Sequence, residues 1–453
     1  MIFWSLIALV VLAPLPFASV YPWSWGLMAT IVGVLLAVWS VRVFLGKELP
    51  GTGLRAMWAF ALLFAVVVGW AFLQSLSVTP EAWHHPLWRE AAGVLGTELS
   101  GSVSLNPAAS VSAVVRLLTY GGIFWLSLQY CREPARAKQV MMALVVSGLA
   151  YATYGLIIQL SGARMILWYD KFAYLDDLTS TFVNRNSYAT YAGLILVCII
   201  GLIFGSALKS MVASENRWER VYQFLHNVTA WDGLLLVALF TVATALFLTH
   251  SRGGFLSTGV GLIVLSLAFG LARGTRARHA FILGVGSLLA GIMFFVISGD
   301  ILDTRLAATS LEKEERPRVY ELTVQAIEAA PMLGTGYGSF EEVFRFYRSD
   351  NIGNFYLKAH NTYLENILEL GYPAALALFA TFGGFLVLTF RGLRRRRRHK
   401  VYPCIGFAAT ALVAAHSLVD FSLQIPAVAM TYSLLMGAAC AQSWSSQRPR
   451  DPW

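Results

Sequence analysis

The sequence predicts an all-α polytopic membrane protein of about twelve transmembrane helices, and three observations lead there. Of its 453 residues 57% are apolar and only 13% are charged, with a mean hydropathy of +0.62. Soluble domains carry about a quarter charged residues, so this composition excludes a cytosolic enzyme and a disordered chain. The apolar residues gather into blocks about 18–22 residues long, the length that crosses a hydrocarbon core at ~1.5 Å rise per residue. Lys and Arg concentrate on alternate loops between those blocks.

Twelve blocks read as spans: 2–20, 24–45, 56–74, 111–130, 139–160, 187–206, 232–249, 254–272, 280–297, 371–391, 404–419 and 424–441. The first lacks a basic leader, contains Pro14 and Pro16, and runs straight into the second after Tyr21-Pro-Trp-Ser-Trp25. It therefore reads as a retained helix, not a signal peptide. The expected organisation is nine spans with short loops over 1–297, a loop domain at 298–370, and three spans with a tail over 371–453. Cys131, Cys198, Cys404 and Cys440 share no hydrophilic loop. They read as small buried hydrophobes and exclude a disulfide framework.

One set of loops holds 21 of the 34 Lys and Arg against six of the 25 acids, leaving that face at +15 and the other at −6. Short cytoplasmic loops carry such an excess, so both termini are expected in the cytoplasm of a multi-pass plasma-membrane protein. The run from Arg394 to Arg398 reads as a topology anchor with some lipid attraction, and no nucleic-acid partner is expected.

The opposite face carries the longer stretches, near 75–110, 161–186 and 298–370. In the first, His84-His85 with Trp83 and Trp88 suits an interfacial aromatic belt. In the third, Val319, Leu322, Ile327 and Ala330 recur at helical intervals among charges, predicting an amphipathic helix over 311–330 on the membrane or over a cavity. Pro331-Met-Leu-Gly334-Thr-Gly336-Tyr-Gly338 has no preceding strand and no Lys-Ser/Thr, which rejects a nucleotide P-loop. It reads as a tight turn ahead of a helix at Phe340–Tyr347.

Asn361 is an N-cap candidate for a helix that runs into span ten, and His360 sits just before it. The positive end of a helix disfavours imidazolium, so His360 is expected to be neutral. Such a residue serves equally as a proton acceptor or as a plain hydrogen-bonding group at the interface. Arg185, in FVNRNSY, and Arg252, in THSRGGF, lie at the outer ends of spans where a guanidinium is costly unless paired. Each presents a planar fork that matches phosphate oxygens, or else snorkels or pairs with an acid such as Asp420. His416 and Asp420, four apart, are expected on one helix face at the end of span eleven as supporting residues.

These motifs together — FVNRNSYATY at 182–191, THSRGGF at 249–255, PMLGTGYGSF at 331–340 and AHNTYLENILELG at 359–371 — resemble the O-antigen ligase and Wzy-type polysaccharide polymerase superfamily. The resemblance implies a GT-C-like bacterial inner-membrane glycosyltransferase of lipopolysaccharide or exopolysaccharide biosynthesis, its active site facing the periplasm. It implies an undecaprenyl-diphosphate-linked glycan donor, with lipid A-core or a growing glycan as acceptor. Arg185 and Arg252 would then hold the diphosphate, and His360 would deprotonate the acceptor hydroxyl, with Asn361, His416 and Asp420 as supporting candidates. The ligase motif H-[NSQ]-x9-G-x-x-[GTY] is matched at His360, Asn361 and Gly371, but position 374 is Ala, which leaves the polymerase branch open. A single displacement would invert the anomeric configuration. No Asp, Glu and His pattern suits a divalent-metal cage, so no metal and no cofactor are expected.

Three other readings fit less well. A twelve-span secondary transporter binds near the bilayer midplane, often in repeated halves, whereas here no repeat is evident and the polar candidates sit at the outer end. A non-catalytic scaffold has no use for costly arginines, and the His-Asn motif argues against a peptidoglycan polymerase of similar fold.

Overall fold

The computed structural model describes residues 1–210, 229–273, 306–348, 352–353, 355–396 and 398–444. Among them it is a helical bundle of a multi-pass membrane protein. Helices α1 (Ile2–Leu12), α2 (Pro22–Phe44), α3 (Leu54–Gln74), α4 (Leu87–Leu95), α5 (Pro107–Tyr130), α6 (Pro134–Leu160) and α7 (Arg185–Ser210) form the first half. Helices α8 (Ala230–Phe247), α9 (Arg252–Arg273), α10 (Leu306–Ala329), α11 (Phe340–Tyr347), α12 (Thr362–Arg395), α13 (Val401–His416) and α14 (Pro426–Ala441) follow. A two-stranded hairpin, β1 (Met165–Ile166) and β2 (Tyr169–Asp170), interrupts the loop before α7.

Eight of the described helices are long and apolar enough to cross a membrane, and α1, α13 and α14 are shorter apolar helices. Eleven of the twelve expected blocks thus coincide with apolar helices; the ninth, 280–297, lies outside the described residues. The first block is corrected. Its helix stops at Leu12 and not near residue 20, because Pro14 and Pro16 bring no N–H to continue it, and Phe17, Ala18 and Ser19 adopt positive φ.

Of the eight long helices among the described residues, α7 is the most enclosed, packed by α6, α8, α9 and α13, while α2 and α3 leave most of their surface facing outward. Small residues permit the closest crossings: a Cβ on Gly437 of α14 would stand 2.5 Å from the Phe124 carbonyl of α5. At one end of the bundle, cations cap helix C-termini. Arg132 donates to the Ala441 carbonyl at 2.7 Å, Arg396 donates to Gln442, and Lys400 donates to Ala272.

The loop domain builds a satellite core of its own. Helix α10 buries Val319, Leu322, Ala326 and Ile327 against Phe340 and Phe344 of α11, whose rings stack 5.2 Å apart. The expected amphipathic face therefore covers protein and not lipid, and Ala326 takes the place expected of Ala330, which is only partly buried. Burying each Phe adds about 1.5–3 kcal/mol.

What holds this domain in place is a break in α12. Gly371 has φ +73° and ψ 163°, and Pro373 has no N–H to offer the Glu369 carbonyl. The carbonyls of Leu368, Glu369 and Leu370 turn outward and find other donors. Thr335 N donates to Leu368 at 3.0 Å, Gly336 N to Glu369 at 3.0 Å, and Trp70 Nε1 of α3 to Leu370 at 2.9 Å. Gln74, fully buried at the end of α3, bridges both partners. Its Nε2 donates to Leu333 O and Glu369 O at 2.7 and 2.9 Å, and its Oε1 accepts from Tyr337 N at 3.2 Å. The glycine-rich segment is thus the expected tight turn, clasped to the helix break. Gly334, at φ +70°, allows that approach, since a Cβ there would lie 2.4 Å from Glu369 O.

Replacing Gln74 by Leu keeps the volume and strands buried carbonyls, and should cost roughly 1–3 kcal/mol. Thermal unfolding in detergent reads this. A melting temperature equal to the native one would show that the clasp contributes nothing.

Candidate active site

Three helices, α7, α9 and α12, begin at the same end of the bundle, and each begins with a capping side chain. Asn184 Oδ1 accepts from Asn186 N at 2.7 Å, Ser251 Oγ from Gly254 N at 3.1 Å, and Asn361 Oδ1 from Tyr363 N and Leu364 N, both at 3.1 Å. The residues singled out from sequence flank these caps. Arg185 and Arg252 are the first helical residues after theirs, and His360 immediately precedes Asn361.

Side chains lace the three ends together. Ser251 Oγ donates to Asn186 Oδ1 at 2.8 Å, joining α9 to α7. Thr190 Oγ1 lies 2.6 Å from His416 Nδ1, joining α7 to α13. Thr362 N donates to Ser417 O at 2.9 Å and its hydroxyl to Asp420 O at 2.8 Å, joining α12 to the turn after α13. The glycines after Arg252 serve helix packing: a Cβ on Gly254 would fall 2.3 Å from Ala189 Cβ, and one on Gly253 3.3 Å from His416 Nε2. So Arg185, Arg252, Asn361, His416 and Asp420 belong to one linked cluster. His360 joins it through the ring of Phe421, 4.9 Å away edge to face, while Tyr320 of α10 donates to the His360 carbonyl at 3.0 Å.

The expected shared helix face of His416 and Asp420 is corrected. Helix α13 ends at His416, and Asp420 lies in the following turn, where its Oδ1 accepts from the next backbone N–H, Phe421 N, at 2.6 Å. No hydrogen bond links the two side chains. His416 Nε2 and Asp420 Oδ2 are both buried without a hydrogen-bond partner among the described residues. Arg185 Nε and the hydroxyls of Thr179, Thr181, Ser187 and Ser422 share that condition nearby. Buried polar atoms normally find partners, so this concentration marks a place built for a polar ligand or water.

Three participants escaped the sequence reading. The acid that engages Arg185 is Asp177, not Asp420. Asp177 Oδ2 accepts from Arg185 Nη1 at 2.7 Å, and its Oδ1 stands 2.8 Å from His250 Nδ1. Burial alone would raise the Asp177 carboxyl, but the His250 hydrogen bond and the Arg185 guanidinium outweigh it and hold the group below its ordinary value. Arg316 of α10 is the third: its Nη1 reaches 3.5 Å from Val419 O, over the turn that carries Asp420. The signals were present: Asp177 lies eight residues before Arg185, and His250 stands inside the THSRGG motif. Arg252 is half-buried and has no hydrogen bond or ion pair with any described residue.

His360 is placed by acids behind it. Glu365, fully buried, accepts from Lys358 Nζ and Ala359 N, both at 2.9 Å, and Glu369 Oε1 accepts from Phe340 N at 3.0 Å. Burial would lower the Lys358 ammonium, but the carboxylates of Glu365 and Glu369 hold it above its ordinary value. His84, by contrast, is tied to the Thr79 carbonyl at 2.9 Å, in a loop contact of its own.

The class this defines is a polytopic helical membrane protein with two arginines at convergent helix N-termini, where backbone N–H groups and the helix dipole favour negative charge. Residues 237–379, which contain Arg252 and His360 but not Arg185, match the family model described as O-antigen ligase. The match supports the O-antigen ligase and Wzy-type superfamily that the motifs implied. No curated protein matches the chain.

The Asp177 network has a pH signature. A carboxyl depressed in the folded state stabilises above its unfolded pKa, and the gain fades as pH falls through the lowered value. The melting-temperature gap between native protein and Asp177→Asn should be wide at neutral pH and close in acid. A gap of constant width would dissociate Asp177 from the effect.

Proposed function

We propose that the protein is a membrane glycosyltransferase of the O-antigen ligase kind. It moves a glycan from an undecaprenyl-diphosphate-linked donor to an acceptor hydroxyl, with inversion and without a metal. The observation that carries this reading is the uncommitted Arg252 guanidinium, set with Arg185 among three helix N-termini in the cluster that includes His360. The site faces the periplasm, and both termini are cytoplasmic. Supporting this, Arg132, Arg396 and Lys400 cap helices at the far end of the bundle, on the side the excess of Lys and Arg assigns to the cytoplasm.

Departure of a lipid diphosphate from an anomeric carbon builds negative charge on the phosphate oxygens. Fixed guanidinium groups and helix N-termini stabilise that charge as it develops, in surroundings where little reorganisation is needed. The incoming hydroxyl loses its proton to His360, whose place before a helix N-terminus favours the neutral ring that can accept it. The acceptor is lipid A-core for a ligase. A Wzy-type polymerase would use the same residues on a growing glycan, and Ala374 at the position where ligases carry Gly, Thr or Tyr is the feature that favours it.

Transfer assayed with purified donor and acceptor tests these roles. His360→Ala should lose about 10²–10⁴ in rate, and Arg252→Ala about 10²–10³. Native rates in either variant would remove the corresponding assignment. EDTA should leave transfer unchanged, and a loss restored by Mg²⁺ would overturn metal independence. In a deletion strain, unattached lipid-linked polymer indicates the ligase, and single capped repeats indicate the polymerase.

A further inference from the structure

Building on the diphosphate-binding reading above, we propose that His250 is a third contact for the donor's diphosphate, engaging it as an imidazolium whose Nε2–H donates to a phosphate oxygen. The ring is oriented from behind. Its Nδ1 lies 2.8 Å from Asp177 Oδ1, and an ionised carboxylate can only accept, so Nδ1 carries a proton. Nε2 then points the ring's other polar edge elsewhere, makes no hydrogen bond with any described residue, and belongs to a side chain 36% exposed.

The backbone sets this presentation. His250 has φ +50°, a left-handed conformation uncommon for a residue with a Cβ, in the turn between α8 and α9. His360 has φ +52° in the equivalent place before α12. Each histidine thus directly precedes the capping residue of a helix that opens onto the site. His250 stands two residues before Arg252, and Asp177 ties it to Arg185 through one shared carboxylate.

Asp177 is the charged group in contact with the ring, Arg185 and Lys171 reach it through Asp177, and Arg252 follows two residues on. Lys171 Nζ donates to the Asp177 carbonyl at 2.8 Å, and Asp176 is engaged by Arg164 at 2.9 Å. A bound diphosphate adds negative charge at the Nε2 edge, so the ring then lies between two anions and takes up a proton. Binding of the diphosphate is therefore linked to protonation, and affinity falls as pH rises through the histidine range. A merely structural His250, holding Asp177 in place for Arg185, would produce no such linkage.

The test uses the purified full-length chain with undecaprenyl diphosphate as probe and undecaprenyl monophosphate as comparison, between about pH 6 and 8. Native protein should favour the diphosphate and bind it more tightly toward the acid end. His250→Ala should weaken diphosphate binding about tenfold or more, as expected for a lost charge-assisted hydrogen bond, and flatten its pH dependence relative to native. His250→Gln, neutral but with an amide N–H, should recover part of the affinity and stay as flat, with both melting temperatures near native. Native-like affinity, or a retained pH slope, in His250→Ala overturns the proposal, as does weakening that tracks a fallen melting temperature in both variants. Arg185→Ala and Arg252→Ala separate the two ideas. If they weaken binding and His250→Ala does not, only the role of His250 fails. If they bind like native, the diphosphate reading itself fails.

Discussion

A helix that cannot complete its own hydrogen bonds organises the working end of this protein. At Gly371 and Pro373, α12 gives up the ordinary ladder, and the carbonyls of Leu368, Glu369 and Leu370 must be satisfied from outside. They are met by the glycine-rich turn, by Gln74 and by Trp70, so one defect fastens the loop domain to α3 and α12 together. Along the same helix, Glu365 and Glu369 reach back to the segments on either side of α11, fixing Lys358, Ala359 and hence the backbone of His360. The placement of a single imidazole thus traces back through backbone chemistry to a proline and a glycine that interrupt a span.

The site follows from a repeated local solution. Each of α7, α9 and α12 begins with a short polar cap, and side chains at or near that end bond to a neighbouring helix or turn. Unpaired amides and aligned peptide dipoles make such an end electropositive. Three of them at one end, two bearing Arg185 and Arg252 in their first turns, add up to more positive potential than any single motif supplies. Asp177 offsets part of it, sharing one carboxylate between Arg185 and His250, and Arg252 has no hydrogen-bond or ion-pair partner among the described residues.

Much of this was legible in the sequence, for identifiable reasons. Span positions follow from length and hydropathy, and the caps at Asn361 and the turn after Pro331 follow from residue types with narrow conformational preferences. The helix at Phe340–Tyr347 was equally plain. The first helix was overread because its prolines lie within a continuous apolar run, where composition masks the missing N–H groups. Asp177 went unnoticed because its significance is tertiary: nothing near it in sequence reveals that the turn after α8, some seventy residues later, brings His250 to its other oxygen. His416 and Asp420 misled in the reverse sense, since helical spacing assumes a helix that here ends at the first of the pair.

At the far end of the bundle, Arg132, Arg396 and Lys400 donate to the last carbonyls of α14 and α9. Positive charges of this kind are also what the insertion machinery reads when it chooses which way a span enters the bilayer. The same side chains that seal these helix ends thus also carry the kind of charge that orients a span. A span inserted the wrong way round relative to its neighbours would part these cations from the helix ends they seal, so such an error would show itself as a failure to fold.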